Sequence, residues 1–494
     1  PRLEELTLLV NMTLLLGVGA LCNIFFKRLK MPTIIGYLLT GIILANYWND
    51  FSEETEDIVK ILADLGLVML MFTIGLELNL RKLKIMGGFA VTAIIILVPI
   101  MISGGFLLGY ILGLTGMAPL FMGIILSGSS TAVFLGVSKE SGVLSEMDMQ
   151  KLILIMVMED VVQVLMLSMI TPILHGNEMT TDAMIWMVLI VIVFIVLSMY
   201  LGLNTLPKFL DWMKDRGYSS EMLLVTSLGL CFLLAMLSVS IGLSMAIGAF
   251  LMGVIVSQSK TSHEIEESIE PMKNIFLAMF FIDIGLKITP DLIINNIQNI
   301  MIIFLVFDAF MITAVFISIM VADKDNALKH CYTCGMSLLT MGEFAFIISG
   351  AAFGDSTSPF YDPSLYASII GAALISMVTL PIFARMSPKI AEAAYNYSPT
   401  FVYRASQRFL MFINKEHRKL RSMSENTGKK AKKAMAATYV LFALIVVVVM
   451  SFLFFTALLT QFFFDHIEAL DNNWCGILVL VIAFLILTPL LFAF

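Results

Sequence analysis

Two neighbouring carboxylates, Glu159 and Asp160, lie in the middle of the otherwise apolar stretch from Leu152 to Leu167, where Gln163 is the other strongly polar side chain. A stretch of this composition predicts a buried helix. A carboxylate at the centre of a bilayer costs roughly 2.5–3.5 kcal/mol on insertion scales, so a purely structural role is a poor explanation for two. Burial disfavours the charged form of a carboxyl group, which can then hold a proton or a metal cation in competition. This competition predicts cation/proton exchange.

Two polar interruptions elsewhere in the chain offer oxygen atoms to a cation. They are Leu126–Thr131 and Ser337–Glu343, and both are rich in Gly and hydroxyl residues that let a helix unwind. Unwound helices present dipole ends and free carbonyl groups to an ion. One interruption would indicate a kink or close helix packing, whereas a matched pair favours an ion site. The candidate ligands are Ser129, Ser130 and Thr131 in the first interruption, with Thr340 in support from the second.

The composition shows that helices in a membrane must position these residues. Apolar residues make up 59% and charged residues 14% of the 494 residues, against about 45–50% and 25% in soluble domains, and the mean hydropathy is +0.95. We therefore predict an all-α polytopic membrane protein. Apolar runs long enough to span a bilayer lie near 6–26, 32–47, 58–77, 85–112, 118–138, 150–173, 182–205, 220–240, 243–258, 270–289, 296–321, 327–353 and 364–386, which makes thirteen, and two more lie near 434–464 and 475–494.

The chain also contains an internal repeat. Gly36–Leu44 resembles Gly248–Val256 at an offset of 212, and Ile74–Leu78 resembles Ile284–Ile288 at an offset of 210. The paired spans are seven apart, and an odd separation inverts one half relative to the other. Inverted repeats are typical of transporters whose substrate site lies between discontinuous helices at the midplane.

The repeat is unequal in charge. An offset of 210 places Glu159 and Asp160 opposite Ile369 and Ile370. Only the first half carries the carboxylate pair, so we predict one ion site and not two.

The basic residues predict the orientation. With the amino terminus outside, all but three of the 30 basic residues fall on the inner face, and the exceptions are Arg2, Lys60 and Lys287. This asymmetry follows the positive-inside rule. The basic segment 404–433 is then either a plain cytosolic linker or a segment that binds anionic lipid head groups.

An ordered set of motifs resembles the cation:proton antiporter-2 family, the Kef-type potassium efflux systems and related sodium/proton exchangers. The resemblance covers roughly residues 6–390, and its motifs are Pro32–Gly41, Leu65–Leu78, Ser129–Ala132, Pro271–Lys273, Phe280–Gly285 and Gly342–Phe346. It implies a homodimer, a six-helix core domain with two crossed broken helices, and elevator-like alternating access.

The resemblance also implies that Asp160 is the essential ion- and proton-binding acid. Kef-type members usually have Gln at the preceding position and electrogenic sodium exchangers have Asp, whereas this chain has Glu159. Glu159 is either a second proton carrier, which makes exchange electrogenic, or a neutral or paired group, which leaves Asp160 to exchange one proton for one cation. Two adjacent like charges disfavour double ionisation, which favours the electroneutral arrangement.

Other intramembrane charges are weaker candidates. Glu77 and Glu343 match family positions and could contact the ion or pair with a basic residue, and Asp283 replaces the small neutral residue that is usual in its motif. Lys273 could neutralise a core carboxylate, although snorkelling to water is an alternative. Asp64 and Asp308 are expected to be packed polar groups.

We expect three segments: a thirteen-helix cation/proton antiporter domain at 1–392, a basic cytosolic linker at 393–433, and two additional transmembrane helices at 434–494. No cofactor and no nucleic-acid partner is expected, and the ion is a transported Na⁺ or K⁺. The nucleotide-binding domain of Kef proteins is replaced by the two extra spans, and a cytosolic regulatory domain or subunit stays open.

Two rival functions, a channel and an intramembrane protease, fit these residues less well. A gated potassium efflux channel would need a pore-loop filter or a symmetric ring of charges, and an off-centre site in an inverted repeat favours a carrier instead. An intramembrane aspartyl protease needs two carboxylates on different helices, whereas neighbours on one helix point about 100° apart. The chain is therefore not expected to be an enzyme.

Overall fold

The computed structural model describes residues 2–29, 31–47, 53–78, 80–174, 181–322 and 328–397. Within these ranges the chain is almost entirely helical, which confirms the predicted all-α fold. The elements are α1 (Arg2–Arg28), α2 (Thr33–Tyr47), α3 (Glu53–Glu77), α4 (Leu80–Ile111), α5 (Ala118–Ile125), α6 (Thr131–Ser141), α7 (Glu146–Leu174), α8 (Thr181–Asp215), α9 (Ser220–Ser240), α10 (Met245–Val256), α11 (Ser262–Leu286), α12 (Pro290–Asn295), α13 (Ile297–Ala322), α14 (Leu328–Met336), α15 (Glu343–Ser349), a π-helical turn (Gly350–Gly354) and α16 (Pro363–Tyr397).

Seven helices of the described chain are long and apolar enough to cross a membrane: α1, α3, α4, α8, α9, α13 and α16. Each of the thirteen predicted runs coincides with a helix or an interrupted helix. Several of these helices are shorter than a full span, among them α2 and α10, so the count of thirteen spans stays a prediction. The boundaries of the three predicted segments also stay predictions. The two C-terminal spans, and the linker beyond the end of α16 at Tyr397, lie outside the described residues.

The described residues form two compact units. The first unit takes described residues from 2–80, Gln163–Met301 and Phe346–Leu374, and the second takes them from Arg81–Val162, Ile302–Ala345 and 375–397. In the first unit, α3 packs against α10 and α11, while α2 packs against α11 and α10 against α9. All of α10 except its first residue is buried, as expected for a helix that is apolar on every side.

Glycine contacts in the first unit reproduce the internal repeat. A Cβ atom added at Gly41 would lie 2.7 Å from the Cα atom of Gly285, and one added at Gly253 would lie 2.9 Å from the Cα atom of Gly75. The sequence repeat pairs Gly41 with Gly253 and Gly75 with Gly285, so these two contacts are equivalent under it. The α2–α11 and α3–α10 packings are therefore two copies of one arrangement, in which glycine permits close backbone approach.

In the second unit, α4 packs closely against both α5 and α13. A Cβ atom added at Gly105 would lie 2.6 Å from the Cα atom of Gly123, and one added at Gly104 would lie 2.4 Å from the ring of Phe310. All eight residues of α5 are buried, as is every residue of α7 from 155 to 162. The carboxylate pair of α7 therefore lies in the interior of this unit.

Candidate ion-binding site

The two interrupted helices meet at their interruptions, as predicted. The chain leaves α5 at Ile125 and enters α6 at Thr131, and it leaves α14 at Met336 and enters α15 at Glu343. Between these helices the two extended segments run antiparallel and pair at Ser129 and Met341. We call residues 128–130 and 340–342 the crossing.

Two backbone hydrogen bonds close the crossing. The N–H of Ser130 donates to the carbonyl of Thr340 at 3.2 Å, and the N–H of Gly342 donates to the carbonyl of Gly128 at 3.1 Å. An offset of 212 maps residues 128 and 130 onto 340 and 342, so each bond is the repeat-related copy of the other.

The offset differs again around the carboxylates. The predicted offset of 210 pairs Glu159 and Asp160 with Ile369 and Ile370, whereas α7 begins at Glu146 and α16 at Pro363, an offset of 217 that pairs them with Ser376 and Met377. Both offsets place neutral residues opposite the carboxylates, so the expected asymmetry in charge is unchanged.

The crossing requires glycine at position 342. A Cβ atom added there would lie 2.9 Å from the carbonyl oxygen of Ser129 and 3.1 Å from its carbonyl carbon. Both neighbours are backbone atoms, which cannot move aside without opening the crossing.

Glu159 is bound to the first half of the crossing. Its Oε2 accepts a hydrogen bond from the N–H of Ser129 at 2.9 Å and another from the Ser129 hydroxyl at 2.5 Å. The side chain is fully buried, and no ion pair involves it in the described part of the chain. Neutral donors therefore hold this carboxyl group, and they tie it to the backbone of the interruption.

Ser376 of α16 has the corresponding role in the second half. Its Oγ accepts a hydrogen bond from the N–H of Met341 at 3.0 Å. Met341 is the repeat equivalent of Ser129, so the central N–H of each half is satisfied by a side chain from a following helix. Sequence reasoning missed Ser376, because a lone serine in an apolar helix has no spacing that identifies its partner.

The hydroxyl groups at the crossing differ in how fully they are used. The Ser129 hydroxyl is bonded to Glu159. Ser130 Oγ donates to Glu343 at 3.3 Å and accepts from the N–H of Val133 at 3.4 Å, which caps α6. Thr131 Oγ1 and Thr340 Oγ1 are buried and have no hydrogen-bond partner among the described residues. These two hydroxyl oxygens are available to a ligand, and Oε1 of Glu159 is also buried without a hydrogen bond to a described residue. Ligation by Ser129 and Ser130 stays a prediction.

Asp160 follows Glu159 on α7 and is 5% exposed. Successive residues of a helix point about 100° apart, so its side chain projects in a different direction from that of Glu159. Asp160, Glu159, Ser129, Ser130 and Thr131 thus lie in one unit. Thr340 and Glu343 belong to the same unit.

The remaining candidates belong to the first unit. Glu77 is exposed at the end of α3, and Lys273 is half-buried on α11. Asp283 forms an ion pair with Lys287, with 2.8 Å between Nζ and Oδ2. Lys287, one helical turn away, therefore compensates the charge of Asp283, the residue at which the chain departs from the family motif.

Carboxylates also surround two of the three basic residues that lie on the outer side in the predicted orientation. Asp64 interacts electrostatically with Lys60 and Lys287. In the loop after the π-helical turn, burial raises the pKa of Asp355, but hydrogen bonds from Thr357 and the charges of the two lysines outweigh it, so the pKa lies below its usual value. Lys60 and Lys287, which depart from the positive-inside rule, therefore have carboxylate partners nearby.

Comparison with known proteins gives a consistent match. The family model described as "Sodium/hydrogen exchanger, transmembrane" matches residues 13–385. K(+) efflux antiporter 5 of Arabidopsis thaliana is 28% identical over 399 residues, which is 78% of this chain and 67% of that protein. The glutathione-regulated potassium-efflux system protein KefC of Shigella flexneri is 29% identical over 397 residues, which is 78% of this chain and 61% of that protein. The chain thus spans about two thirds of the length of such relatives, or less.

A solved structure shares the fold. The sodium proton antiporter MjNhaP1 of Methanocaldococcus jannaschii at pH 8 superposes with a TM-score of 0.60 at 16% sequence identity. The match covers 78% of this chain and 98% of that one. At this identity the likeness concerns the fold alone.

Proposed function

The chain belongs to the sodium/hydrogen exchanger family, and from this premise we propose that it exchanges a monovalent cation, Na⁺ or K⁺, for protons by alternating access. The resemblance to the cation:proton antiporter-2 family is confirmed by the family model and the potassium-efflux relatives. The family is one of membrane transporters. The observation that carries the proposal is the pair Glu159–Asp160 beside the crossing, inside the matched domain.

Asp160 is the group that we propose to alternate between proton and cation. Ionised, its carboxylate attracts the cation, and Thr131 supplies a neutral oxygen that replaces part of the hydration shell. Protonated, it no longer compensates the positive charge, and the cation is released. The cation is the transported substrate and not a resident cofactor.

Glu159 is proposed to position the interruption and not to carry a second proton. Two hydrogen bonds from Ser129 hold its carboxyl group against the backbone, so it is not free to follow a moving cation. Asp160 then exchanges one proton for one cation, and the cycle is electroneutral.

Several further properties belong to the proposal. We propose a multi-pass membrane protein with its amino terminus outside and its basic linker in the cytosol, assembled as a homodimer in contact with membrane lipids. The relatives named above are antiporters and efflux systems, and channel-like potassium efflux is not the better supported alternative.

The test is exchange in proteoliposomes that contain a pH-sensitive dye, with Na⁺, K⁺ and Li⁺ added separately under a proton gradient. At least one cation should collapse the gradient, and failure of all three would contradict the proposal. With the proton gradient clamped, an imposed membrane potential should drive no cation uptake. Potential-driven uptake that disappears in Glu159→Gln would make Glu159 a second proton carrier.

A further inference from the structure

Asp308 is the only charged residue in α13, Ile297–Ala322. The helix is apolar and long enough to span a membrane, where a carboxylate is costly and usually functional. The sequence favours a packed polar group at this position. That interpretation requires hydrogen-bond partners for the carboxyl oxygens, because buried polar groups in folded proteins are nearly always paired.

The described part of the chain provides no such partners for Asp308. The side chain is 8% exposed, and its Oδ1 is buried without a hydrogen bond. No ion pair with a described residue involves it. A structural role would leave this carboxyl group desolvated and unpaired, which is unfavourable, so packing alone does not explain the residue.

Two contacts define how α13 lies against α14. The rings of Phe316 and Tyr332 have centroids 4.5 Å apart, and a Cβ atom added at Gly335 would lie 3.1 Å from the carbonyl oxygen of Ile312. One turn backward along α13 therefore corresponds to about one turn forward along α14. This is the register of antiparallel neighbours joined by a short connection.

The next turn of α13 therefore lies beyond the end of α14 at Met336, beside the start of the second interruption, 337–343. Asp308 lies four residues before Ile312 and so shares its helix face. Thr340 is fully buried and its Oγ1 has no partner in the described chain. Its carbonyl accepts the hydrogen bond from Ser130 that closes the crossing. Two buried oxygens without partners among the described residues, Asp308 Oδ1 and Thr340 Oγ1, therefore belong to the second interruption and to the turn of α13 that approaches it.

We propose that Asp308 and Thr340 form a second binding position for the transported monovalent cation, at the second interruption. The inference rests on the proposed function and adds a site to it. A carboxylate and a hydroxyl oxygen are ligands that suit hard cations. A bound cation would compensate the buried charge of Asp308 and engage the Thr340 hydroxyl, so this position raises the affinity of the transporter without replacing Asp160 as the exchanging acid.

The experiment measures cation KM and kcat in proteoliposomes for Na⁺, K⁺ and Li⁺. Asp308→Asn keeps size and polarity but removes the charge, and it should raise the KM of the transported cation about tenfold with little change in kcat. Asp308→Glu keeps the carboxylate and should retain most of the affinity. Thr340→Val should raise KM in the same direction. The double variant should show less than the product of the two single effects, because both remove the same position.

Wild type and Asp160→Asn, measured in the same assay, distinguish failure of the proposed exchange from failure of the second binding position. Absence of exchange in the wild type contradicts the proposed function itself. Exchange in the wild type with unchanged KM in Asp308→Asn would overturn only the second position. If Asp308→Asn does not fold, Thr340→Val provides the test. The measurement is the thermal stabilisation of the detergent-solubilised Thr340→Val protein by NaCl or KCl, relative to choline chloride. This stabilisation should be smaller than in the wild type, and equal stabilisation would overturn the proposal.

Discussion

The two halves of the crossing meet the same backbone requirement with different chemistry. In the first half a carboxylate, Glu159, accepts the central N–H of Ser129. In the second half a hydroxyl, Ser376, accepts the central N–H of Met341. The backbone hydrogen bonds that join the halves are related by the same offset of 212, so the scaffold is symmetric and the charge is not.

This difference indicates which property of the acceptor side chain the fold requires. A neutral hydroxyl is a sufficient acceptor for the central N–H, so the structural requirement is one acceptor and not one charge. A charge at Glu159 is therefore not required to hold the backbone, and we assign the charge that transport uses to the neighbouring Asp160. In the second half the residue after Ser376 is Met377, and buried carboxylates lie instead at Glu343 and, on α13, at Asp308.

Removal of the charge next to Glu159 should have the largest effect. Asp160→Asn makes the first half as neutral as the second at this position. It should fold and insert, because it removes a buried charge, but cation-driven proton movement should fall to the level of protein-free liposomes. Near-normal exchange by a purified, correctly folded Asp160→Asn protein would end the proposed mechanism.

Glu159 should be more important as an acceptor than as a charge. Glu159→Ala leaves the buried N–H and hydroxyl of Ser129 without their acceptor and should destabilise the protein by about 1–3 kcal/mol, the cost of a buried donor left unsatisfied. Glu159→Gln keeps a carbonyl acceptor and should remain close to the wild type in thermal unfolding in detergent. Equal destabilisation by both substitutions would show that the charge itself holds the first half together.

Thr131 tests whether the first half supplies a neutral ligand. Thr131→Val keeps the shape and removes the unpartnered Oγ1, and it should raise the apparent cation KM about tenfold, equivalent to about 1.4 kcal/mol, with little change in maximal rate. Thr131→Ser retains the oxygen and is the matched control. An unaltered KM in Thr131→Val would remove this hydroxyl from the site.

The smallest effect is expected in the second half. Ser376→Ala removes the neutral acceptor of the Met341 N–H and should cost about 0.5–1.5 kcal/mol of stability, less than Glu159→Ala. Cation KM should stay at the wild-type value, because Ser376 is proposed to hold the backbone alone. A shift in KM as large as that of Thr131→Val would mean that Ser376 also contributes to ion binding.

The sequence predicts the local features of this site better than its long-range ones. Gly and hydroxyl residues placed the interruptions at 126–131 and 337–343, and the structure confirms both because unwinding depends on local composition. The role of Ser376 was missed, because helix periodicity does not give the register between separate helices. The pairing of Asp283 with Lys287 was within reach, since four residues separate them.

The central claim is that a proton and a cation compete for Asp160, and its most direct test is the pH dependence of the apparent cation KM. Exchange is measured in proteoliposomes with the membrane potential clamped. As pH falls, protons occupy the carboxyl group, so KM should rise and approach about tenfold per pH unit on the acid side, while the maximal rate at saturating cation changes little. A KM that is independent of pH, with a maximal rate that falls instead, would show that proton and cation bind to separate groups and would contradict the account.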